Sequence, residues 1–361
     1  MSLRDGNKLI DKSGAIRKGE ELNIEALQNY LSQKGNQFSQ ITVEQFPGGF
    51  SNLTYLIIAR DGSEYVLRRP PFGAKIKSAH DMGREHKVLS MLRPVYDKVP
   101  EPIVYCEDES IIGAPFYVME RVKGIILRNS PPSNMDLTPD LMRRISENAI
   151  DNLAELHSLD IHKHGLIDLG KPEGYARRQV LGWIDRYEKS KTDMLPSIEH
   201  VSEWIKNNIP EDNEPRMIHN DYKYDNMVLS VEDPSKILAV LDWEMATVGD
   251  PLMDLGTTLA YWGEIDESAA LKPFNLTWLP GNLNRQQILE RYQEKTGIEV
   301  KNIVFYYAYA SFKIGVICQQ IYARFKKGMT KDPRFGGLIG VVKACGKNGI
   351  KAIETNKISN W

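Results

Sequence analysis

The feature of this sequence that most constrains its fold is a group of polar side chains on both sides of an apolar hairpin. His219, Asp221 and Asn226 lie just before one short apolar run, and Asp242 lies within the next one, residues 237–243. The polar stretch between the two runs is typical of a turn, so the pattern predicts a pair of antiparallel strands. Such a hairpin would bring two carboxylates and one amide to the same place.

The spacing His-x-Asp-x-x-x-x-Asn is that of a kinase catalytic loop, in which the Asp meets a substrate hydroxyl and the Asn holds a metal ion. Asp and Asn also abound in turns, so this loop alone leaves an ordinary turn open. Asp242 disfavours that alternative, because a kinase needs a second metal-holding carboxylate there. Mg²⁺ prefers hard oxygen ligands and retains waters. We therefore predict Asn226 and Asp242 as magnesium ligands and Asp221 as the acceptor of the hydroxyl proton.

The sequence also predicts functions for Lys223 and His219 of this loop. Lys223, two positions after Asp221, is predicted to neutralise charge that develops on a transferred phosphoryl group, with a surface lysine as the alternative. His219 is predicted to orient the loop through hydrogen bonds to the backbone, and not to act as an acid or base.

Strand patterns dominate the region upstream of the motif. Residues 41–46, 54–59 and 65–69 are β-prone, and Asp-Gly in the turn before the last of them predicts a hairpin. Residues 79–92 have helical spacing, and 115–120 form one more β-prone run. These patterns predict a small antiparallel sheet covered by a helix.

Beyond this sheet the apolar spacing becomes mainly helical up to the end of the sequence. A chain of 361 residues is long enough for two lobes. We predict an α+β fold with a small antiparallel-sheet N-lobe over residues 1–118 and a larger, mainly helical C-lobe over residues 119–361.

Nucleotide phosphates need backbone donors and a cation, and the sheet region offers both. Gly48 and Gly49 would let the backbone approach a nucleotide, and Ser51 could add a hydroxyl donor, although Pro-Gly-Gly can equally be only a turn. Strand alternation sets Arg68 on the face opposite Leu67 and Arg69. Arg68 is the predicted phosphate-binding cation, paired with Glu85 of the helix; the alternative is a pair of arginines that solvate an edge strand.

The composition of the sequence disfavours two classes of partner, nucleic acids and membranes. The net charge of −2 argues against a nucleic-acid partner, and no apolar run approaches the length that spans a bilayer. The first residues are polar and lack the pattern of a secretory signal, so we expect a cytoplasmic protein without membrane contact. The three cysteines suit neither a disulfide framework nor a metal knuckle. The oligomeric state stays open.

These residues resemble the aminoglycoside phosphotransferase and choline kinase-like family, whose fold is similar to that of protein kinases. The segment from Asp242 through Asp254 looks like the family's metal-binding segment and its continuation. Within the group the chain looks closest to the kinase-like domain fused to acyl-CoA dehydrogenases, which shares the sequences Tyr-Val-Leu-Arg-Arg-Pro-Pro, at 65–71, and Val-Leu-Asp-Trp-Glu, at 240–244. The resemblance implies a protein kinase-like two-lobe fold.

The same resemblance implies further site residues. It implies ATP with Mg²⁺, with GTP still open, and backbone contacts from Glu120 and Val122 to the nucleotide base. Arg177 and Arg178 lie in a segment similar to one in the dehydrogenase-fused kinases, and they are candidates for an anionic substrate. Glu244 is a further candidate for contact with the substrate. The usual lysine of these kinases is replaced by Arg68, which the closest subgroup also uses.

The predicted function is transfer of the γ-phosphate of a nucleoside triphosphate to a hydroxyl of a small molecule, with a hydroxyacyl or hydroxyacyl-CoA compound as the acceptor that the resemblance implies. The alternatives are a catalytically silent nucleotide or metabolite binder and an aminoglycoside or choline type of kinase. A protein kinase is disfavoured because neither Asp-Phe-Gly nor Ala-Pro-Glu follows Asp242.

Overall fold

The structure is a computed structural model that describes residues 9–47, 52–72, 81–330 and 332–360. The chain folds into two compact units. The first unit consists of Met1–Ile125, Val228–Asp233 and Leu238–Ala246, and the second of Ile126–Met227, Pro234–Ile237 and Thr247–Trp361. The lobe boundary predicted after residue 118 stays a prediction; the first long segment of the first unit ends at residue 125.

A five-stranded antiparallel sheet forms the centre of the first unit. Its strands follow the order β1-β2-β3-β5-β4. They are β1 (Ile41–Gln45), β2 (Leu53–Ala59), β3 (Glu64–Arg69), β4 (Pro102–Cys106) and β5 (Phe116–Glu120). The predicted turn between β2 and β3 is present, with Gly62 at φ +82° and Asp61 Oδ1 accepting the Ser63 N–H at 2.9 Å. A left-handed φ of this kind favours glycine.

Helices cover the sheet of the first unit. Helix α1 (Ile24–Ser32) begins after Asn23, whose side chain accepts the N–H of Ala26. Leu67 of β3 packs in the buried cluster that includes Leu27 of α1. Helix α2 (Met82–Leu92) begins after the capping residue Asp81; the predicted residues 79 and 80 lie outside the described part.

The two faces of β3 therefore have different neighbours, as strand alternation predicts. While Leu67 contributes to the apolar cluster, the guanidinium of Arg68 bonds to Glu85 of α2. The first unit also contains the one-turn helix α3 (Glu109–Ile112).

The second unit is mainly helical. Its helices are α4 (Pro139–His157), α5 (Tyr175–Ser190), α6 (Pro196–Asn207), α7 (Pro251–Tyr261), α8 (Arg285–Thr296), α9 (Ile303–Lys326) and α10 (Leu338–Thr355). Within this unit, strand β6 (Arg216–Ile218) pairs antiparallel with β9 (Thr247–Gly249).

The hairpin predicted next to the polar motif is confirmed. Strands β7 (Met227–Leu229) and β8 (Ile237–Val240) form a two-stranded sheet. Most of this hairpin belongs to the first unit, where the N–H of Val240 donates to the carbonyl of Lys98 at 2.8 Å.

A close helix crossing supports the second unit. Gly256 of α7 lies against the backbone of α9, and a Cβ added there would be 2.6 Å from the carbonyl oxygen of Tyr306. The backbone can give way less easily than a flexible side chain, so only glycine fits this crossing without a shift of the helices. Gly340 of α10, in contrast, has nothing within 4 Å of an added Cβ.

We expect Gly256→Ala to destabilise the protein by about 1–3 kcal/mol through overpacking, even though alanine is the better helix former. The matched substitution Gly340→Ala should stabilise it by roughly 0.5–1 kcal/mol. Urea unfolding followed by circular dichroism measures both free energies. Equal stabilisation by the two substitutions would contradict the close crossing of α7 and α9.

Candidate active site

The polar motif found in the sequence lies on a loop between two short strands of the chain. Strand β6 ends at Ile218, and a single turn of 3₁₀ helix over Tyr224–Asn226 leads directly into β7. Within this loop, which we call the catalytic loop (residues 219–226), Asn220 has a left-handed backbone with φ +67°. A left-handed conformation is uncommon for residues other than glycine and persists where the surroundings enforce it.

Asp254 of α7 fixes the start of the catalytic loop. Its buried carboxylate accepts the backbone N–H of His219 at 2.7 Å and that of Asn220 at 2.8 Å. His157 Nε2 lies 3.1 Å from the same carboxylate, and its Nδ1 lies 2.7 Å from the hydroxyl of Tyr292. Burial would raise the pKa of Asp254, but its hydrogen bonds to His157 and to the backbone N–H of His219 lower it, so the carboxylate is ionised at neutral pH.

The Asp221 carboxylate is held from two sides. Lys223 Nζ donates to it at 2.8 and 3.1 Å, and Asn226 Nδ2 donates to Oδ2 at 2.9 Å and to the Asp221 carbonyl at 2.8 Å. Burial would raise the pKa of Asp221, but Lys223 and more distant cations lower it overall. The side chain is 17% exposed. Asp221 is thus an oriented, ionised carboxylate that solvent can still reach.

Lys223 is not the surface lysine that remained as its alternative. Its side chain is 17% exposed, and Nζ lies 4.7 Å from the centre of the Tyr261 ring. Burial would lower the pKa of Lys223, but the Asp221 carboxylate raises it far above its ordinary value. The ammonium ion therefore stays charged throughout the neutral and alkaline range.

His219 has contacts of the kind that an orienting residue makes. The ring is buried, and Nδ1 accepts the backbone N–H of Asp221 at 3.2 Å. The edge of the ring packs on Tyr222 at 6.1 Å between centroids. These bonds hold the backbone of Asp221, although the role itself stays a prediction.

In the first unit, the predicted phosphate-binding cation is surrounded by carboxylates. Arg68 bonds to Glu85 of α2, and both its Nη atoms lie 3.1 Å from Asp242 Oδ1. Glu244 Oε2 lies 3.8 Å from Nη2. Burial would lower the pKa of Arg68, but Glu85, Asp242 and the other neighbours raise it, so the guanidinium remains a cation. Arg68 is therefore buried and paired, unlike an arginine that solvates an edge strand.

Asp242 itself adopts a left-handed backbone conformation with φ +66° at the end of the β8 segment. The neighbouring Glu244 accepts a hydrogen bond from Asn52 Nδ2 at 2.9 Å. Asn52 directly follows the predicted phosphate-binding residues Gly48, Gly49 and Ser51, which lie outside the described residues.

The residues predicted to contact the nucleotide base and the substrate differ in whether their polar atoms already have hydrogen-bond partners. The backbone N–H of Glu120 is already donated to the Glu101 carbonyl at 2.8 Å, which leaves its carbonyl and the backbone of Val122 as groups for a base. Arg178 is exposed, but its guanidinium donates to the carbonyls of Lys171 and Glu173. Arg177 is exposed on the same turn of α5.

Each of the two predicted metal ligands has an oxygen atom of the kind that Mg²⁺ prefers. Because Asn226 uses its Nδ2 on Asp221, the oxygen of its amide is the atom it can offer to a metal. In the first unit the carboxylates of Glu85, Asp242 and Glu244 lie around the guanidinium of Arg68, and that of Asp242 could offer an oxygen to a metal. Across the described ranges no three His, Cys, Asp or Glu side chains form a ready-made metal cage. Mg²⁺ would therefore be held together with nucleotide phosphates.

Three residues near the catalytic loop were missed at the level of sequence. They are His157, Tyr175, whose hydroxyl lies 3.0 Å from Asn220 Nδ2, and Lys313, whose Nζ donates to the Asn220 carbonyl at 2.8 Å. Only Lys313 left a signal, since it is the one charged residue between Ile303 and Tyr322 in the sequence of α9. A lone charge in an apolar helix indicates a buried partner.

Residues 42–289 match the model of the family described as APH, phosphotransferase enzyme family. The chain belongs to this family. Among curated proteins, acyl-CoA dehydrogenase family member 11 of Rattus norvegicus is 35% identical to it over 318 residues, which cover 85% of the chain and 40% of the rat protein. The protein of the same name from Gallus gallus is 32% identical over 93% of the chain and 44% of its own length. The chain thus spans less than half the length of these curated relatives.

Solved structures of the phosphotransferase family have the same fold. A Ralstonia eutropha protein assigned to the aminoglycoside phosphotransferases is 28% identical, with a TM-score of 0.79 over 93% of this chain and 99% of its own. The streptomycin and ATP ternary complex of APH(2″)-IIa, at 17% identity, has a TM-score of 0.55 over 91% and 98% of the two chains. The chain therefore has a kinase-like α+β fold. No helix within the described ranges combines the length and apolarity needed to cross a membrane.

We expect Asp254→Asn to lower the free energy of unfolding by about 2–4 kcal/mol, because the amide turns an N–H group toward the backbone donors of the catalytic loop. The exposed Asp136→Asn should change it by less than about 0.5 kcal/mol. Since the pKa of Asp254 is lowered on folding, its contribution is present above the unfolded value and disappears as the pH falls through the folded value. Denaturant titrations at several pH values would contradict this if the difference between wild type and Asp254→Asn stayed constant into the acid range.

Proposed function

We propose that this member of the phosphotransferase family transfers the γ-phosphate of a nucleoside triphosphate to a hydroxyl group of a small molecule, with Mg²⁺. The observation that carries the proposal concerns Asp221, an oriented, ionised and partly exposed carboxylate on a loop that the buried Asp254 holds in place. A turn without catalytic purpose would not need a buried anion and a paired lysine to hold one carboxylate in place.

In the proposed reaction, Asp221 orients the acceptor hydroxyl and accepts its proton. The acceptor oxygen forms a bond to the γ-phosphorus as the bond from that phosphorus to the bridging oxygen of the nucleoside diphosphate breaks. Lys223, which already contacts Asp221, would also lie near the incoming phosphoryl group and neutralise part of its charge. His219 supports the loop through the backbone of Asp221.

The nucleotide side of the proposal rests on metal ligands, one cation and backbone groups. Asn226 and Asp242 would hold Mg²⁺, which when bound neutralises the phosphate charge and aligns the phosphates. Arg68, held by Glu85, would contact the phosphates, together with Gly48, Gly49 and Ser51. Glu120 and Val122 would contact the base. Proteins of the same fold are described as complexes with ATP and with GDP, so ATP and GTP are both candidate donors, with ATP as the first choice.

For the acceptor we propose a hydroxyacyl compound or its coenzyme A thioester. The support is the likeness to relatives named for acyl-CoA dehydrogenases. Arg177 is the better of the two arginine candidates for an acceptor phosphate, because the guanidinium of Arg178 is engaged by backbone carbonyls. Glu244 is the weaker assignment, since its carboxylate bonds to Asn52 and lies near Arg68. Aminoglycosides and choline are the competing acceptors.

Asp221→Asn is expected to lower the rate of phosphoryl transfer by about 10²–10⁴-fold, because the amide cannot accept the hydroxyl proton. Binding of Mg-nucleotide should persist, seen as a rise in melting temperature with added ligand. The measurement is phosphate incorporation from labelled ATP or GTP into hydroxyacyl-CoAs, choline, homoserine and aminoglycosides.

The panel distinguishes the alternatives. Asp225→Asn, also on the loop, serves as the matched control, because Asp225 pairs with Arg128 and not with the predicted base. Stabilisation by nucleotide without turnover of any acceptor would indicate a silent binder. Turnover that survives Asp221→Asn would rule out the assigned base.

Arg68→Lys is expected to raise the KM for the nucleotide by about tenfold, with a smaller effect on kcat, because one ammonium ion cannot reach Glu85 and Asp242 as the forked guanidinium does. Arg60→Lys, at an exposed turn of the β2–β3 hairpin, is the control and should leave both constants unchanged. Initial rates at varied nucleotide concentration give the answer. An unchanged KM for Arg68→Lys would remove Arg68 from the nucleotide site.

A further inference from the structure

Lys313 is a buried cation in the middle of an apolar helix. It is 2% exposed, and no other charged residue occurs between Ile303 and Tyr322 of α9. Burial of an unpaired ammonium ion is strongly unfavourable, so such a lysine normally has a specific partner. The partner here belongs to the catalytic loop.

The ammonium ion of Lys313 donates to the backbone carbonyl of Asn220 at 2.8 Å. Asn220 directly precedes Asp221 and has the left-handed backbone described above. Its carbonyl group is part of the peptide bond whose N–H belongs to Asp221, and that N–H is bound by His219. A bond to this carbonyl therefore fixes the plane of the peptide that carries the proposed base.

The charges around Lys313 come from three elements. The groups that act on it most are Asp221 and Lys223 of the catalytic loop, Asp254 of α7 and Arg186 of α5. Helices α6 and α10 also pack on α9 but contribute none of these largest influences. Titratable hydroxyls nearby are those of Tyr175, bound to Asn220, and Tyr309, one turn earlier on α9.

We propose that Lys313 is a positioning residue for phosphoryl transfer, whose charged ammonium ion holds the Asn220 carbonyl and so aims Asp221, and whose deprotonation weakens this hold. The inference rests on the proposed function, because it assigns the purpose of the bond to that reaction. It adds an expectation that the proposed reaction alone does not give: kcat should fall at moderately alkaline pH.

The direction of the pH effect follows from the charges. Burial lowers the pKa of Lys313 to about 8, while Asp221 and Asp254 oppose the shift and Lys223 and Arg186 add to it. The group is charged below this value and neutral above it. Asp221 is ionised on both sides because its pKa is lowered, and Lys223 is charged on both sides because its pKa is raised. A fall in activity near pH 8 would thus reflect the deprotonation of Lys313.

The test compares three variants of the full chain. Lys313→Met removes the charge and keeps the length of the side chain, and Lys313→Arg keeps the charge at all pH values. Lys326→Met is the matched control, because it makes the same substitution at an exposed position of the same helix. Circular dichroism and melting temperature establish that each variant is folded.

For the wild type and Lys326→Met, we expect kcat to fall as the pH rises through about 8. Lys313→Met should lower kcat at pH 7 by about 10²-fold with the nucleotide KM within about twofold, since misplacement of a catalytic group by 1 Å has an effect of this size. Its profile should lack the alkaline fall. In Lys313→Arg the fall should move above pH 10. An alkaline fall that persists in Lys313→Met, or normal kcat in that variant, would overturn the proposal.

A second measurement needs no turnover. Hydrogen exchange of the peptide segment 217–224, corrected for the intrinsic effect of pH, should accelerate in the wild type between pH 7 and 9.5. Lys313→Met should exchange rapidly at both values, and Lys326→Met should follow the wild type. Exchange that is slow and independent of pH in every variant would overturn the role of Lys313.

The two measurements separate the two proposals. If no acceptor is phosphorylated but the exchange pattern appears, the proposed function fails while the hold of Lys313 on the loop stands. If acceptors are phosphorylated and the exchange and kcat of Lys313→Met equal those of the wild type, the proposed function stands and Lys313 is only a structural cation.

Discussion

The buried carboxylate of Asp254 is the constraint on which the arrangement of the catalytic loop depends. An ionised carboxylate without access to water must be satisfied by hydrogen bonds, and two backbone N–H groups of the loop together with His157 provide them. Asp254 lies in the first turn of α7, where the helix dipole also favours a negative charge. Because two consecutive N–H groups must point at one carboxylate, the backbone at His219 and Asn220 has little freedom left.

The left-handed conformation of Asn220 is a consequence of this restraint. Such a conformation costs about 1 kcal/mol or more for a residue with a side chain and persists only where several contacts enforce it. Asn220 has three: its N–H bonds to Asp254, its side chain to Tyr175 and its carbonyl to Lys313. Asp254 and Asp221 attract the Lys313 ammonium ion and oppose the lowering of its pKa by burial, while Lys223 is paired with Asp221 and has a raised pKa.

The local elements of this fold could be predicted because each has a periodic or turn signal of its own. The hairpin of β7 and β8, the opposite faces of Leu67 and Arg68, and the place of Glu85 on α2 all follow from spacing within fewer than 20 residues. The restraint on Asn220 could not be predicted in this way. Its partners come from α5, α7 and α9, and spacing along the chain carries no information on which distant helices meet.

An isolated charged residue in an apolar helix is the one sequence feature here that indicates a contact with a distant part of the chain. A lysine alone in an apolar helix must find an acceptor or lose its proton, so Lys313 indicates a buried partner without identifying it. Arg68 poses the opposite problem in the first unit, where one guanidinium serves three carboxylates. The Arg68 guanidinium joins side chains of α2 and of the segment after β8, whereas the Lys313 ammonium ion bonds to the backbone carbonyl of Asn220. Charge therefore restrains side chains in the first unit and the backbone next to Asp221 in the second.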